Sequence, residues 1–193
     1  MSRGPYRFLR TPAAGQWKDQ NQTGPGTTAE SAITNSAIHE LDIVPWLLHS
    51  PIAEVSWQAG RSSRFAGGGL QDPAFMLFRL ADGTLATLEL FLNAQYGYTT
   101  ACEVVSERGT TAPPEPAVPA VQEEGQRRSR IPADWRPRFA DAYWLQLQAW
   151  ISALELGEPA PLATGEDGLR ASQVAQAMIR SLHSDGAYTK VIY

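Results

Sequence analysis

The sequence is poor in the residues that form covalent cross-links and metal sites. Its 193 residues include one cysteine, Cys102, and three histidines. A single thiol excludes an internal disulfide bond. No Cys-x-x-C pair and no cluster of histidines is present, so the sequence predicts no metal site.

Long apolar runs and positive charge are also scarce. No apolar segment is long enough for a signal peptide or a membrane helix, so we expect a cytoplasmic protein without a membrane partner. The net charge of −4 argues against nucleic acid as the main partner, because binding phosphate requires a basic face. The basic cluster at 127–130 follows Glu123 and Glu124 and predicts a solvated loop.

The length of the chain leaves room for one domain with a sizeable core. Residues 1–34 are predicted to form a short strand over 5–12 and a mobile loop over 13–30, which is rich in Gly, Gln, Thr and Pro. Residues 35–193 are expected to form the folded domain. Within it, the proline-rich segment 111–128 is predicted to be an irregular connection.

Alternating or apolar runs between turn residues predict strands, and apolar residues at steps of three and four predict helices. These patterns place strands over 54–60, 75–80, 84–92 and 189–193, and helices over 35–48, 139–156 and 166–184. The order indicates an α+β fold with helices on one face of an open-faced, mostly antiparallel sheet.

The predicted hairpin around Asp82-Gly83 is apolar on both faces, so we expect one face to contact the helices and the other a second subunit. The helix over 139–156 has an apolar, partly aromatic stripe that is expected to pack against the sheet. The stripe comprises Tyr143, Leu147, Trp150, Ile151 and Leu154.

The helix over 35–48 has one apolar and one polar face. Asn35, His39 and Asp42 recur at steps of three and four and share one side. Asn35 or Ser36 is predicted to be the N-cap, which would place His39 near a helix start, where anionic or hydroxyl-bearing ligands are favoured. Pro45 predicts a kink or break. A single histidine on such a helix is often only a solvated residue, so this alternative stays open.

Three stretches resemble one known family. They are Ser36-Ala37-Ile38-His39-Glu40-Leu41-Asp42-Ile43-Val44, the Tyr96-Gly97-Tyr98 segment followed by Cys102-Glu103-Val104-Val105, and the segment 131–139. Together they are similar to the C-terminal domain of the glucose–fructose oxidoreductase/inositol dehydrogenase (Gfo/Idh/MocA) family, especially its inositol 2-dehydrogenase branch. The similarity covers most of residues 33–186.

The resemblance implies roles for particular residues. The family pattern is Asp-x-x-x-His, so His39 would handle the proton of a substrate hydroxyl while a nicotinamide takes the hydride. Asn35 stands at the aspartate position and can orient an imidazole but cannot stabilise its charge as a carboxylate does. Tyr96 or Tyr98 inherits a substrate-binding position, although either could simply cap the sheet edge.

The N-terminal strand also matches the family, less closely. Aligning Pro12 with the proline of the family's His-x-Asn-Pro segment makes Arg10 and Thr11 candidate substrate contacts and puts Leu9 in place of a polar residue. The family's catalytic lysine has no counterpart, because the two lysines, Lys18 and Lys190, lie in other settings.

No Gly-x-Gly-x-x-Gly segment for a dinucleotide is present, so we expect no cofactor to be bound by this chain alone; NAD(P) would require a separate nucleotide-binding polypeptide. Three functions remain open. The chain is the substrate-binding and dimerisation half of an inositol 2-dehydrogenase-like oxidoreductase, a cofactor-independent isomerase, lyase or cyclase using His39, or a non-catalytic dimeric module. The expected ligand is a polyol-like or less polar small molecule.

Overall fold

The computed structural model of the protein describes residues 7–14, 27–67, 70–114, 120–132 and 134–193, the first of these ranges by its backbone. The strands are β1 (Arg7–Ala14), β2 (Ile52–Ala59), β3 (Ala74–Leu80), β4 (Leu85–Phe91), β5 (Thr99–Thr100), β6 (Glu103–Ser106), β7 (Gly109–Thr111), β8 (Ala120–Glu123), β9 (Gln126–Ser129) and β10 (Thr189–Lys190). The helices are α1 (Ala29–Ala32), α2 (Ile38–Leu48), α3 (Arg136–Leu156) and α4 (Gly165–Leu182), and a π-helical turn, Ile33–Ala37, joins α1 to α2.

The main sheet has the strand order β10-β2-β3-β4-β1-β6-β7, with β5 also paired to β1. Its neighbours are antiparallel except for β1 and β4, which are parallel. The expected α+β fold with a mostly antiparallel sheet is therefore confirmed.

The N-terminal strand lies inside the sheet. β1 pairs with β4 on one side and β6 on the other, so Arg10 is opposite both Thr87 and Glu103. The sheet thus includes residues that the sequence analysis placed before the domain. Of the predicted loop over 13–30, Ala13 and Ala14 are in β1 and Ala29 begins α1, while 15–26 lies outside the described residues.

The first helix begins earlier than its sequence predicted. Thr28 is the N-cap. Its side chain accepts a hydrogen bond from the Ser31 N–H, and Ser31 Oγ accepts one from the Thr28 N–H, so the two residues form a capping box. The predicted N-cap at Asn35 or Ser36 is wrong, because both residues lie in the π-helical turn within a continuous helix. Pro45 was predicted to cause a kink or a break; α2 continues through it to Leu48, so the helix does not break there, and the kink stays a prediction.

One face of the sheet forms the core with α2 and α4. Val55 and Trp57 of β2 are fully buried there. The Trp57 backbone N–H donates to Ser181 Oγ at 3.0 Å, which ties β2 to α4. Gly186, at φ 75°, follows α4; a Cβ there would lie 2.4 Å from the Trp57 carbonyl oxygen, so only glycine allows this close contact.

Local turns join β3 to β4, β6 to β7 and β8 to β9 in the part of the chain that the structure describes. β3 and β4 pair as predicted, with Gly83 at φ 89° in the turn. The segment 111–128 is more regular than expected, because β7 ends at Thr111 and β8 pairs with β9 in a separate two-stranded sheet. Residues 115–119 of that segment lie outside the described residues.

Helix α3 differs most from expectation. Its stripe was predicted to pack against the sheet, but all five of those side chains are exposed: Tyr143, Leu147, Trp150, Ile151 and Leu154. Ala153 is the residue of α3 that is buried. The periodicity correctly identified the helix, but the sheet is not its partner in the described structure.

Candidate functional site

The polar face of α2 and of the preceding π turn is open to solvent. Asn35 and His39 are both exposed. The same face continues through Ile43, which is 39% exposed, to Trp46, which is 68% exposed. The structure therefore places the histidine on an exposed stripe that becomes apolar along the helix, and Asp42, predicted to share this side, is partly buried.

The π-helical turn changes the position of Asn35 around the helix axis relative to His39. A π turn contains one more residue than an α turn and is frequently found at functional sites. Asn35 lies in this wider turn and His39 in the first turn of α2, so the wider turn brings the two residues more nearly in line along the helix. Both lie in the helix interior, so the argument from a helix start no longer applies to them.

Glu40 is a candidate residue that the sequence analysis missed. The residue is only partly exposed, and burial of its carboxyl raises the pKa of Glu40 to about 7, although a hydrogen bond to its own backbone acts in the opposite direction. A carboxyl with such a pKa exchanges protons near neutral pH. The only local signal was its position beside His39, which does not report burial.

Tyr98 is held between the sheet and α3. Its backbone N–H donates to the Pro132 carbonyl at 2.8 Å, and its ring contacts Phe139 edge-on at 6.2 Å. Thr100 Oγ1 donates to the phenol oxygen at 3.3 Å. Burial raises the pKa of Tyr98, and the charge of Glu40 acts in the same direction, which places Tyr98 and Glu40 in one electrostatic neighbourhood.

Gly97 allows Tyr98 to take this position. Its φ is 100°, and a Cβ there would lie 2.7 Å from Ile131 Cγ2 and 2.9 Å from the Pro132 carbonyl oxygen. Any other residue would push the 131–132 segment away from the loop. The Tyr-Gly-Tyr spacing noted in the sequence therefore has a packing reason.

Tyr96 lies apart from Tyr98. Its ring contacts Phe91 edge-on at 6.5 Å, and it is 53% exposed. In β4, Leu88 and Leu90 point into the core, so Phe91 points to the opposite, open face of the sheet. The two tyrosines thus do not share one cluster, and Tyr98 is the one that neighbours Glu40.

The remaining predicted residues are described by backbone alone or lie elsewhere. Arg10 and Thr11 are in β1, opposite Thr87 and Leu88 of β4, and their side chains lie outside the described part of the chain. Lys190 is in β10, the edge strand, and Lys18 lies outside the described residues. Their roles stay predictions.

Carboxylates lie at three of the described helix starts. Dinucleotide cofactors place their pyrophosphate at a helix N-terminus after a glycine-rich turn. Here, the helix starts carry carboxylates: Glu30 lies in the first turn of α1, Asp134 accepts from the Arg136 N–H at α3, and Asp167 accepts from the Thr164 N–H at α4. These negative charges would repel a pyrophosphate.

Two further findings concern the described residues only. Within them, no group of three or more His, Cys, Asp or Glu side chains is placed to hold a metal ion. No helix in these ranges has the length and apolar character needed to cross a membrane.

The buried carboxyl makes folding dependent on pH. Glu40 is protonated in the folded protein up to about pH 7, whereas in the unfolded chain its pKa is near 4.5. The unfolded state therefore binds fewer protons between these values, and the free energy of unfolding should fall by about 2 kcal/mol as pH rises from 4.5 to 7.

We expect Glu40→Gln to remove this decrease, measured by urea unfolding at pH 5 and pH 8. Exposed Glu155→Gln in α3 is the matched control and should retain the wild-type pH dependence. A wild-type difference between the two pH values that Glu40→Gln leaves unchanged would contradict this assignment.

Comparison with known proteins identifies the family. The model of the oxidoreductase family C-terminal alpha/beta domain matches residues 2–191. Inositol 2-dehydrogenase 2 of Paenarthrobacter aurescens is 69% identical over 170 residues, which are 88% of this chain and 51% of that protein. Inositol 2-dehydrogenase 1 of Saccharopolyspora erythraea is 41% identical over 164 residues, 85% of this chain and 48% of that protein.

Comparison with solved structures supports the same family. The crystal structure of myo-inositol dehydrogenase from Lactobacillus casei in complex with NAD(H) and myo-inositol superposes with a TM-score of 0.88 at 26% identity, covering 98% of this chain and 54% of that one. The chain thus spans about half the length of the relatives it matches. Since the family model covers nearly all of it, the chain belongs to the Gfo/Idh/MocA oxidoreductase family and corresponds to its C-terminal alpha/beta domain.

Proposed function

We propose that this chain is the substrate-binding half of an inositol 2-dehydrogenase-like oxidoreductase. The observation that supports this most is the 69% identity to an inositol 2-dehydrogenase over 88% of the chain, in a region that includes the α2 helix. The candidate substrate is a cyclic polyol, whose hydroxyl groups need several polar partners.

His39 is proposed to accept the proton of the reacting hydroxyl. Imidazole is suited to this role because it exchanges protons near neutral pH. Its exposed position leaves it open to a ligand, and Asn35, in line with it across the π turn, is proposed to orient it. Tyr98, Arg10 and Thr11 are proposed substrate contacts, and the position of Tyr96 on Phe91 makes it a weaker candidate.

The NAD(P) that accepts the hydride is proposed to be held by another domain. Because the described helix starts carry carboxylates, we propose that this chain binds no NAD(P) by itself and that a nucleotide-binding domain, in the same or another polypeptide, supplies it. This chain then contributes the substrate site and the proton acceptor.

The experiment that tests the function uses a chimera. The part of the Paenarthrobacter aurescens enzyme that this chain does not match is fused ahead of this chain. We expect NAD-dependent oxidation of myo-inositol by the chimera and none by this chain alone. A folded chimera that binds NAD but oxidises no inositol stereoisomer would refute the proposal.

Asn35→Asp tests the proposed pairing with His39. A carboxylate stabilises a protonated imidazole better than an amide does, so the substitution should strengthen the base. We expect kcat of the chimera to rise about tenfold at neutral pH, with KM little changed. Thr34→Asp, also exposed in the π turn but adjacent in sequence, is the control and should leave kcat unchanged. Equal effects of the two substitutions would contradict a specific pairing.

We also propose that the open face of the sheet forms a homodimer. In β3, Phe75 and Leu77 alternate with the buried Ala74, Met76 and Phe78, so they point away from the helices. Phe75 is 38% exposed, and Leu85 of β4 on the same face is 41% exposed. We expect Leu85→Asp to shift the chain from dimer to monomer in sedimentation; a wild-type monomer at 100 µM would refute the dimer.

A further inference from the structure

Arg138 differs from the other arginines in its burial. It is partly buried, whereas the other arginines whose side chains the structure describes are all exposed: Arg61, Arg64, Arg79, Arg108, Arg127, Arg128, Arg130, Arg136, Arg170 and Arg180. No carboxylate among the described residues forms an ion pair with Arg138. A charged side chain that is withdrawn from water is usually paired with an opposite charge, so the position of this guanidinium calls for another explanation.

Arg138 belongs to the aromatic group that holds Tyr98. Its guanidinium carbon lies 5.8 Å from the centre of the Phe139 ring, and that ring contacts the Tyr98 ring edge-on at 6.2 Å. Stacking on an aromatic ring covers one face of a guanidinium and leaves the N–H groups at its edge able to donate. The start of α3 thus holds a set of donors close to the Tyr98 ring.

The charges that act on Tyr98 come from two helices. Burial raises the pKa of Tyr98, the hydrogen bond from Thr100 lowers it, the charge of Glu40 raises it and the charge of Arg138 lowers it. Glu40 directly follows His39 in α2, whereas Arg138 is in the first turn of α3. Both helices therefore approach the same phenol, and a ligand that contacts Tyr98 is within reach of side chains from both.

We propose that Arg138 is a substrate-binding residue that donates two parallel hydrogen bonds to adjacent hydroxyl oxygens of the polyol. This inference rests on the proposed function. A guanidinium has five N–H donors and no acceptor, so its ligand has to offer acceptor atoms. Hydroxyls on neighbouring ring carbons present two oxygens side by side, which suits the planar fork of arginine. The contact makes the site selective for polyols with an intact vicinal diol.

The first test compares Arg138→Gln with Arg136→Gln in the chimera described above. Arg136 is the matched control, because it lies in the same helical turn but is exposed and paired with Asp134 Oδ2 at 3.0 Å. We expect Arg138→Gln to raise KM for myo-inositol by about 10- to 100-fold, the usual effect of losing charge-assisted hydrogen bonds, with kcat little changed. Arg136→Gln should keep both constants. Equal KM values for the two variants overturn the proposal.

Two further variants separate hydrogen bonding from packing and from charge. Arg138→Met keeps an apolar stem against Phe139, so the thermal midpoint should match the wild type while KM rises as in Arg138→Gln. Arg138→Lys keeps the charge but not the planar pair of donors, so its KM should also stay raised. A wild-type KM in the methionine variant shows that no donor is needed, and in the lysine variant that charge alone is enough. Either result overturns the paired contact.

Analogues of the substrate test the diol directly. Across a panel of monodeoxy-inositols, we expect two analogues that lack one or the other of two adjacent hydroxyls to bind about tenfold more weakly than myo-inositol. In Arg138→Gln these two should lose less affinity than myo-inositol does, because the substitution and the missing hydroxyl remove a shared contact. Glucuronate is the anionic probe. Binding of glucuronate that is tighter than that of myo-inositol and lost in Arg138→Gln identifies an anionic partner and overturns the diol assignment.

Binding of myo-inositol to this chain alone, measured by ligand-observed NMR, separates this inference from the proposed function. Binding that depends on Arg138, without oxidation by the wild-type chimera, supports the inference and refutes the function. Oxidation with a wild-type KM in Arg138→Gln supports the function and refutes the inference. The absence of both binding and oxidation overturns both.

Discussion

His39→Gln is expected to lower kcat of the chimera on myo-inositol by about 10²–10⁴-fold, the usual contribution of a positioned acid–base group. Glutamine keeps a polar side chain of similar reach but cannot take up a proton. Because the imidazole is exposed, the substitution removes no packing and should leave the thermal midpoint unchanged. Initial rates over a range of inositol concentrations separate kcat from KM.

The matched control is His49→Asn on the same helix. His49 is also exposed and ends α2 in the left-handed conformation at φ 52°, which asparagine adopts readily. This variant should retain wild-type kcat. Retention of more than a third of the activity by His39→Gln would exclude His39 as the proton acceptor, and the third alternative, a non-catalytic module, would then gain support.

The sequence was informative where structure is local. The β3–β4 hairpin follows from Asp82-Gly83 between two apolar runs, and the end of α3 follows from Gly157, which caps it at φ 67°. The start of the first helix was missed although its capping box, Thr28 and Ser31, was present in the sequence. The neighbouring Gly, Thr and Pro residues are typical of a loop, so a loop was predicted there.

The buried face of α2 was predicted only in part. A regular helix over 35–48 predicts a buried stripe of Ile38, Leu41, Pro45 and Leu48. The structure buries Ile33, Ala37, Leu41, Val44 and Leu48 and leaves Ile38 and Pro45 partly exposed. The π turn changes the phase only between the residues before Ile38 and those after it. Within α2 the spacing is that of a regular helix, and the face that meets the core is set by packing against the sheet and α4, which periodicity alone does not resolve.

The two remaining errors concern contacts between distant segments. The apolar stripe of α3 has the same spacing whether the helix packs on the sheet or is exposed, as it is here. The raised pKa of Glu40 and its coupling to Tyr98 arise from residues far apart in sequence. Periodicity within one helix contains no information about such neighbours.

Asp72→Ala is expected to destabilise the fold by about 3–5 kcal/mol, because a buried carboxylate here accepts several charge-assisted hydrogen bonds. Asp72 is 1% exposed. Its oxygens accept from the Leu92 N–H at 2.8 Å, the Asn93 N–H at 2.8 Å and the Asn93 side-chain amide at 2.7 Å. Alanine would leave these donors buried or partly buried without acceptors.

The same bonds fix the start of the loop that carries Tyr98. Asn93 follows β4, and the loop is fixed at its other end by the Tyr98 N–H on Pro132. Without Asp72 the loop keeps only one of its two fixed ends. The substitution should therefore weaken inositol binding as well as stability. Urea unfolding measures the loss of free energy of unfolding, and a thermal melt should show a midpoint lower by about 10 °C.

Asp82→Ala is the control for loss of a carboxylate. Asp82 lies exposed in the β3–β4 turn and accepts from the Thr84 N–H at 2.9 Å, so its loss should cost only about 1 kcal/mol. The loss of stability caused by Asn93→Ala should lie between those of Asp72→Ala and Asp82→Ala, because this substitution removes one donor to Asp72 and leaves the two backbone hydrogen bonds. If Asp72→Ala were no more harmful than Asp82→Ala, the carboxylate would not be the anchor of the Tyr98 loop, and the position of Tyr98 would depend on Gly97 and Pro132 alone.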